Sequence, residues 1–534
     1  MPSQEGEQPT APLNKWIITV TVMTGALVAS INTSSVNVAL PNMQGNLGAS
    51  VEEIAWVSTG YILSSVTTMP LVAWFSSRFG RKRFYMAVVV LFIISSIFCG
   101  MAWDLLSIVA FRITQGIAGG TLIPIAQAIL RETFPVREQG AAMGIYGMGV
   151  VLGPAFGPTI GGWVVDHYSW RWVFYINIPV CMINLLLAAR FIHDPSYLVR
   201  EKGRVDFSGL MLLIIGLGAL QLMLEKGELN DWFDSRFIIS LAGISFVSMV
   251  LFVIRELHTD RPAVNLRLLR NVTFASGTAM NGVLGLGLMS SVFLMPMFLQ
   301  KLLHYPAIDS GLAIMPRSVA MALVLPIAGR MYNTVGPKAL VSVGFFIAGL
   351  SFWQLSRLSV DAGYWDIFAP QFLQGIGIAM VFVSLSTAAL SKINKPDMTA
   401  ATGLYNFFRQ TAGSIGIAIV ASQLTRGGSH YRALLTESIS DYRDATHAWL
   451  QPMTESLIRR GTDPFLASEK ALGYLDKAVM QQATILSFNH VYFLIACLFF
   501  AAIPFVFLLR VNGVASGARL GEVKESERGP IPNP

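Results

Sequence analysis

Three arginines, Arg112, Arg317 and Arg409, lie inside long apolar segments. A guanidinium has five N–H donors, no acceptor and a permanent charge, so in apolar surroundings it must reach a polar surface or meet an acceptor. Neither Arg317 nor Arg409 has an obvious carboxylate partner in the sequence. Arg112, in Phe-Arg112-Ile-Thr-Gln115-Gly116, lies about a turn and a half from the nearer end of its segment. It can snorkel to that end or face an internal cavity, and we take the second. Arg317 is placed to line the same cavity. Arg409 is placed to pair with phosphate or with helix-end carbonyls.

Two amides, Asn32 and Asn37, close the first apolar segment in the run Ile31-Asn32-Thr33-Ser34-Ser35-Val36-Asn37. An amide donates and accepts hydrogen bonds but does not take up a proton as a carboxylate does. Acidic residues stay near segment ends, the nearest being Asp104, Glu132, Asp166 and Asp366.

A third pattern is conformational. Gly149, Gly153, Gly157 and Gly161 recur every four residues, slightly more than one helical turn, and form a slowly winding ridge without side chains. Pro154 and Pro158 follow one residue on, and Gly162 closes the run. Each proline removes a backbone donor, so the helix is expected to be bent or locally unwound. A small-residue packing seam is the plainer reading of such a ridge.

Other chemistries are not encoded in recognisable form. There is no Gly-x-x-x-x-Gly-Lys-Ser/Thr phosphate loop. The seven histidines sit in loops or at segment ends without ligand spacing, and Cys99, Cys181 and Cys497 lie in apolar runs with no paired spacing. We therefore expect no metal, no cofactor and no enzymatic activity.

The elements that must hold these residues are membrane helices. Of 534 residues, 53% are hydrophobic and only 13% charged, with a mean hydropathy of +0.56. The net charge of +7 is spread in short runs between apolar segments, which points to membrane topology and not to nucleic acid. Runs of about 17 to 25 apolar residues give fourteen expected spans, at 16–40, 54–74, 84–102, 105–127, 140–163, 172–192, 207–224, 236–254, 273–299, 310–329, 339–356, 366–391, 400–424 and 489–509. The tails and the loops after even-numbered spans, with Arg190 at the end of the sixth span, hold 23 Lys or Arg, against five in the short loops of the other face, Arg236 at a span start included. Both termini are therefore expected in the cytoplasm.

The chain also repeats itself. Gln115-Gly116 returns as Gln374-Gly375 and Ala141-Ala-x-Gly144-Ile-Tyr146 as Ala400-Ala-x-Gly403-Leu-Tyr405, both 259 residues later. Gly80 matches Gly336, and Gln371 stands where Arg112 does. Spans one to six and nine to fourteen read as two parallel copies joined by a two-span linker. The expected domains are an N-tail 1–15, a six-helix bundle 16–192, a linker 193–271, a second bundle 272–510 and a C-tail 511–534. The second bundle includes a long non-cytoplasmic segment, 425–488. Leu434, Leu435 and Ile439, then Leu472, Leu475, Val479 and Met480, give that segment helical spacing, as a solvated cap or a docking surface.

Several of these motifs carry a resemblance. Gly153-Pro154 with Gly161-Gly162 resembles the antiporter motif of the major facilitator superfamily, and Arg112-x-x-Gln115-Gly116 resembles its fourth-span motif, whose arginine is associated with proton transfer. The loop Ala73 to Arg83, with Arg78, Gly80 and Arg81, resembles the superfamily's second-to-third-span loop, with Ser77 in place of its Asp and Ala73 in place of its Gly. The first-span run through Asn37-Val-Ala-Leu-Pro41 resembles the signature of the fourteen-span drug:proton antiporters, with Asn32 at the acidic position. Trp170 to Pro179 and Asn406-Phe-Phe-Arg409-Gln to Gly416 resemble multidrug exporters of that family.

The resemblance implies an all-α facilitator fold of fourteen helices and export of hydrophobic toxic compounds from the inner membrane in exchange for protons. It also implies a periplasmic adaptor protein and an outer-membrane channel as partners. Without an acid at position 32, the cavity is expected to favour neutral or anionic amphiphiles. The alternatives are an uncoupled lipid or metabolite transporter and a non-transporting membrane sensor or scaffold.

Overall fold

A computed structural model describes residues 12–195, 206–259, 262, 264–437, 439 and 443–510. The expected tails at 1–11 and 511–534 lie outside them. All regular structure among the described residues is helical. In chain order the helices are α1 (Pro12–Leu47), α2 (Val51–Ile54), α3 (Trp56–Thr68), α4 (Val72–Phe79), α5 (Arg81–Gly100), α6 (Leu105–Thr133), α7 (Gln139–His167), α8 (Trp172–Tyr175) and α9 (Asn177–Phe191). The linker helices α10 (Phe207–Lys226) and α11 (Arg236–His258) follow. The chain continues with α12 (Val272–Met297), α13 (Ala307–Met331), α14 (Pro337–Leu355), α15 (Tyr364–Ala389), α16 (Met398–Glu437), α17 (Asp444–Arg459) and α18 (Pro464–Ala502).

Local chemistry sets many of the boundaries. Ser50 and Glu53 form a reciprocal capping box, and Asp104 with Ser107 forms another at the start of α6. Asn271 and Asp463 accept backbone N–H groups at the starts of α12 and α18. Gly80 and Gly336 have φ of +88° and +90°, a conformation that L side chains rarely adopt, and each sits before the third helix of its copy. The repeat read from sequence is thus a repeat of backbone geometry.

The helix pairs repeat as well. In the first copy α1 packs on α6, α7 and α9, while α6 packs on α3 and α5 and α5 on α9. In the second copy α12 packs on α15, α16 and α18, while α15 packs on α13 and α14 and α14 on α18. Helix for helix, these are the same contacts, so the fold is an all-α membrane architecture of two parallel repeats. The linker helix α10 touches both, α3 on one side and α16 on the other, and α11 packs mainly on α10.

Twelve of the described helices are long and apolar enough to cross a membrane. The expected second and thirteenth spans are not among them. The second is broken into α3 and α4 by a 3-10 turn, Met69–Leu71, built around Pro70. The thirteenth is part of α16, a 40-residue helix that runs on into a polar extension. The described residues of the segment 425–488 form the end of α16, α17 and the first part of α18, and Arg432 pairs with Asp476 across the α16–α18 hairpin at 2.8 Å.

The glycine-proline run behaves differently from expectation. α7 is helical without interruption through Pro154 and Pro158, so local unwinding is not observed. Side chains of α1 reach its backbone instead: the Ser34 hydroxyl donates to the Gly153 carbonyl at 3.2 Å and the Ser35 hydroxyl to the Gly157 carbonyl at 2.7 Å. These bonds tie α7 to α1 along the glycine ridge.

Candidate functional site

The residues singled out in the sequence fall into three separate places. The first is a buried polar network in the first copy. The Arg112 Nη1 donates to Gln115 Oε1 at 2.6 Å and its Nε to the Val57 carbonyl at 3.0 Å, with the Tyr61 ring 4.3 Å from the guanidinium carbon. At 1% exposure it does not snorkel. Gln115 Oε1 also accepts from Asn32 Nδ2 at 3.2 Å, Gln115 Nε2 donates to Ser96 Oγ at 2.7 Å, and Asn32 Oδ1 accepts from Asn177 Nδ2 at 3.3 Å. Both polar atoms of each amide, Asn32 and Gln115, are therefore used, which is the condition under which a buried network is stable. The network explains Asn32: a carboxylate there would face the Gln115 oxygen with no N–H to give. Asn37 lies outside it, exposed, accepting from the Ser58 hydroxyl at 2.6 Å.

The second place is the matching position of the second copy. Arg317 Nη1 donates to Ser291 Oγ at 2.9 Å and to Gln374 Oε1 at 3.4 Å, and Ser291 Oγ donates to Gln374 Oε1 at 2.9 Å. Ser291 takes the role of Asn32, and the residue separation to the glutamine is 83 in both copies. Gln371, where the first copy has Arg112, is fully buried with no hydrogen-bond partner on either amide atom.

The third place is a seam between the copies at the helix ends nearest the termini. α7 changes partner along its length. Gly140 and Gly144 meet the backbone of α13 at Gly329 and Leu325, and Gly147 meets Leu325 and Phe382. From Gly149 onward the ridge faces α1: a Cβ on Gly149, Gly153 or Gly157 would run into Met23, Ser30 or Ser34, and one on Gly161 would lie 2.8 Å from Ser35 Cα. Gly162 points away, with nothing nearer than Val38 Cγ1 at 3.8 Å. Arg409 lies in this seam. Its Nη2 donates to Asn406 Oδ1 at 3.1 Å, and Asn406 Nδ2 donates across to Gln127 Oε1 at 2.7 Å. Asn333 Nδ2 likewise reaches the Arg137 carbonyl at 2.5 Å.

The loop motif closes the same face. Arg81 pairs with Glu132 at the end of α6, and its Nη2 contacts the Lys395 carbonyl of the second copy at 3.4 Å. Arg78 stacks near Trp74, and Ser77 bonds only its own helix, to the Trp74 carbonyl. The carboxylate that Ser77 lacks comes from Asp194, after α9, which accepts from the Lys82 backbone N–H at 2.8 Å and lies over Gly80. An acid there meets the positive end of α5.

Two residues of the linker also escaped the sequence reading. Gln221 and Glu225 are one turn apart on α10. Gln221 Nε2 donates to Ser414 Oγ in the second copy at 3.1 Å, and Glu225 Oε1 accepts from Thr59 Oγ1 in the first at 2.6 Å. Two polar residues four apart on an otherwise apolar helix were the available signal. The peripheral acids have structural partners: Asp104 and Asp366 accept backbone N–H groups at helix starts, and Glu132 holds Arg81. Asp166 is exposed.

Two parallel six-helix repeats meeting at one face, with buried polar networks in each, define a membrane carrier of the facilitator type. The Major Facilitator Superfamily model matches residues 22–417, and the chain belongs to that family. Members of the family are carriers, so this is a small-molecule secondary transporter and not an enzyme.

The chain is similar to the "Multidrug export protein EmrB" of Haemophilus influenzae, 31% identical over 482 residues and covering 90% of this chain and 92% of that protein. It is similar to the same extent, 31% over 494 residues, to the "Fatty acid resistance protein FarB" of Neisseria gonorrhoeae, covering 92% and 96%. Among solved structures, the human organic anion transporter MFSD10 superposes with a TM-score of 0.58 at 13% identity over 92% of this chain and 100% of that one. The proton:xylose symporter XylE superposes with a TM-score of 0.59 at 12% identity over 93% and 95%. At such identities the structures speak for the fold alone.

Proposed function

We propose that the chain exports amphiphilic toxic compounds across the inner membrane in exchange for protons, with a preference for neutral and anionic molecules. The observation that carries the substrate class is the pair of buried arginines: neither Arg112 nor Arg317 meets a carboxylate among the described residues. Uncompensated guanidinium groups inside the bundles raise the local potential, which repels cations and attracts oxyanions. The likeness to a multidrug exporter and to a fatty acid resistance protein along nine-tenths of the chain supports the direction and the chemistry.

In this reading the chain has fourteen spans, the broken α3–α4 and the first part of α16 completing the two bundles, and both termini are cytoplasmic. The seam at Gly140–Gly329 and Asn406–Gln127 is then a cytoplasmic closure. Export requires that seam to part and α7 to rock against α1 along the ridge from Gly149 to Gly161. The carboxylate that exchanges the proton is Glu225, whose partner is a single hydroxyl on α3. It stands in for the acid that Asn32 is not. The exposed Leu434, Phe465, Leu466, Leu472 and Met480 of the α16–α18 hairpin are the surface for a periplasmic adaptor protein that leads to an outer-membrane channel.

Collapse of an imposed pH gradient in everted vesicles tests the proposal. Dodecanoate and neutral amphiphiles should collapse it in a protein-dependent way and cationic dyes should not. Flux of the same compounds with no response to the gradient would instead favour an uncoupled carrier, the reading that the non-titrating Asn32 supports.

A further inference from the structure

The two buried networks differ in one respect that bears on ligand binding. In the first copy both polar atoms of Gln115 are partnered within the protein. In the second copy the corresponding network is left open. Gln374 Nε2 has no partner, Gln371 has none on either atom, and both residues are fully buried. Arg317 uses only Nη1 in the hydrogen bonds described, leaving Nε and Nη2. Gln371 and Gln374 lie three residues apart on one face of α15, and Gln374 is in direct contact with Arg317. Arg317 retains 7% exposure against 1% for Arg112, so it is the less completely buried of the two.

Buried N–H groups without a protein acceptor are costly, and a ligand or a bound water that supplies the acceptor removes that cost. We propose that Arg317, Gln371 and Gln374 form a carboxylate-binding subsite in the second copy, and that the first copy holds no counterpart. A carboxylate has two oxygens and about four lone-pair directions, which suit the free edge of one guanidinium and two amide N–H₂ groups. A trimethylammonium group offers no acceptor and places a second positive charge against Arg317. An alcohol satisfies one donor at most. The subsite therefore selects amphiphiles by headgroup and not by chain length. The proposal rests on the reading of the chain as a carrier of anionic amphiphiles and assigns the residues that recognise the head.

The test is equilibrium binding of radiolabelled dodecanoate to the full-length protein in lipid nanodiscs, with dodecanol and dodecyltrimethylammonium as matched probes. Arg317→Gln is expected to weaken dodecanoate at least tenfold. Because that variant also disturbs Ser291 and Gln374, Gln371→Leu provides the independent arm. It removes an amide with no internal partner, so its thermal stability should equal or exceed that of the native protein while dodecanoate weakens three- to tenfold and dodecanol stays within twofold. Lower stability with unchanged dodecanoate affinity in Gln371→Leu makes the amide structural and overturns the subsite. Native dodecanoate binding and transport that survive both variants overturn the subsite but leave the carrier reading intact. No dodecanoate binding to the native protein, with gradient-driven transport of dodecyltrimethylammonium, overturns both.

Discussion

Gln115 and Gln374, equivalent residues 259 positions apart, each accept a guanidinium N–H through Oε1, yet the arginines come from different helices. Arg112 is on the same helix as Gln115, one turn before it, whereas Arg317 reaches Gln374 from α13, the second helix of its copy. The repeat has kept the chemistry at the fourth helix and moved the charge. One consequence is an asymmetric carrier, with a closed network on one side and an open one on the other.

Asn32→Asp should disturb the first network more than its small change in shape suggests. The variant loses the N–H that Gln115 Oε1 accepts and sets oxygen against oxygen, at a cost of about 1–3 kcal/mol. The expected result is a lower melting temperature with a new pH dependence of transport and a gain in cationic substrates. Transport of dodecyltrimethylammonium against pH reads it out, and an unchanged substrate profile would count against the role given to Asn32.

The two neighbouring glycines at the end of the ridge should respond differently. Gly161→Ala places a methyl 2.8 Å from the backbone of Ser35, an overpacking penalty of about 1–3 kcal/mol, and should reduce both stability and turnover. Gly162→Ala has room and should be neutral. Thermal melting of the detergent-solubilised proteins, paired with vesicle transport, separates the two positions.

Closure of the seam predicts a cross-link. Arg137→Cys with Asn333→Cys, in a background with Cys497 replaced, should oxidise to a disulfide and stop transport, with recovery on reduction. Each single variant should remain active. A double variant that cross-links yet transports would show that the seam does not open during the cycle.

The clasp at the start of the linker predicts an acid sensitivity. Burial alone pushes the Asp206 carboxyl up, but hydrogen bonds from Arg255, the Gly209 N–H and Ser208 bring it below the usual carboxylate range. A carboxyl lowered on folding contributes stability above its unfolded pKa, about 3.9, and loses that contribution as pH falls through the lower folded value. Asp206→Asn should therefore melt earlier than the native protein at neutral pH, and the gap should close below about pH 4. A gap that persists at low pH would assign the effect to packing.

Glu225→Gln keeps an acceptor for Thr59 and removes the titrating group. Folding and ligand binding should be retained while the dependence of transport on the pH gradient is lost. A variant that still exchanges protons would move the coupling site away from α10.

Much of this was legible in the chain because membrane helices are encoded locally. Apolar run length, the four-residue glycine spacing and the 259-residue repeat each act within one segment or between copies of it, and each reappears as a helix, a close contact or a repeated packing pair. Partnering was not legible. That Ser291 replaces Asn32, that Asp194 supplies the carboxylate missing at Ser77, and that Glu225 meets Thr59 are contacts between residues more than 80 positions apart. The same holds for continuity: Pro154 and Pro158 predict a bent or locally unwound helix by local rule, but α7 runs on through both, packed along α1.

The sequence by itself determined that this is a two-copy helical membrane carrier, since hydrophobic length and internal repetition leave few other solutions in a bilayer. Only the tertiary structure decided which polar groups are satisfied and which are left open, and at which face the copies meet. Those properties depend on a few tenths of an ångström between distant side chains, where a hydrogen bond either forms or fails, and no spacing within a single segment carries that information.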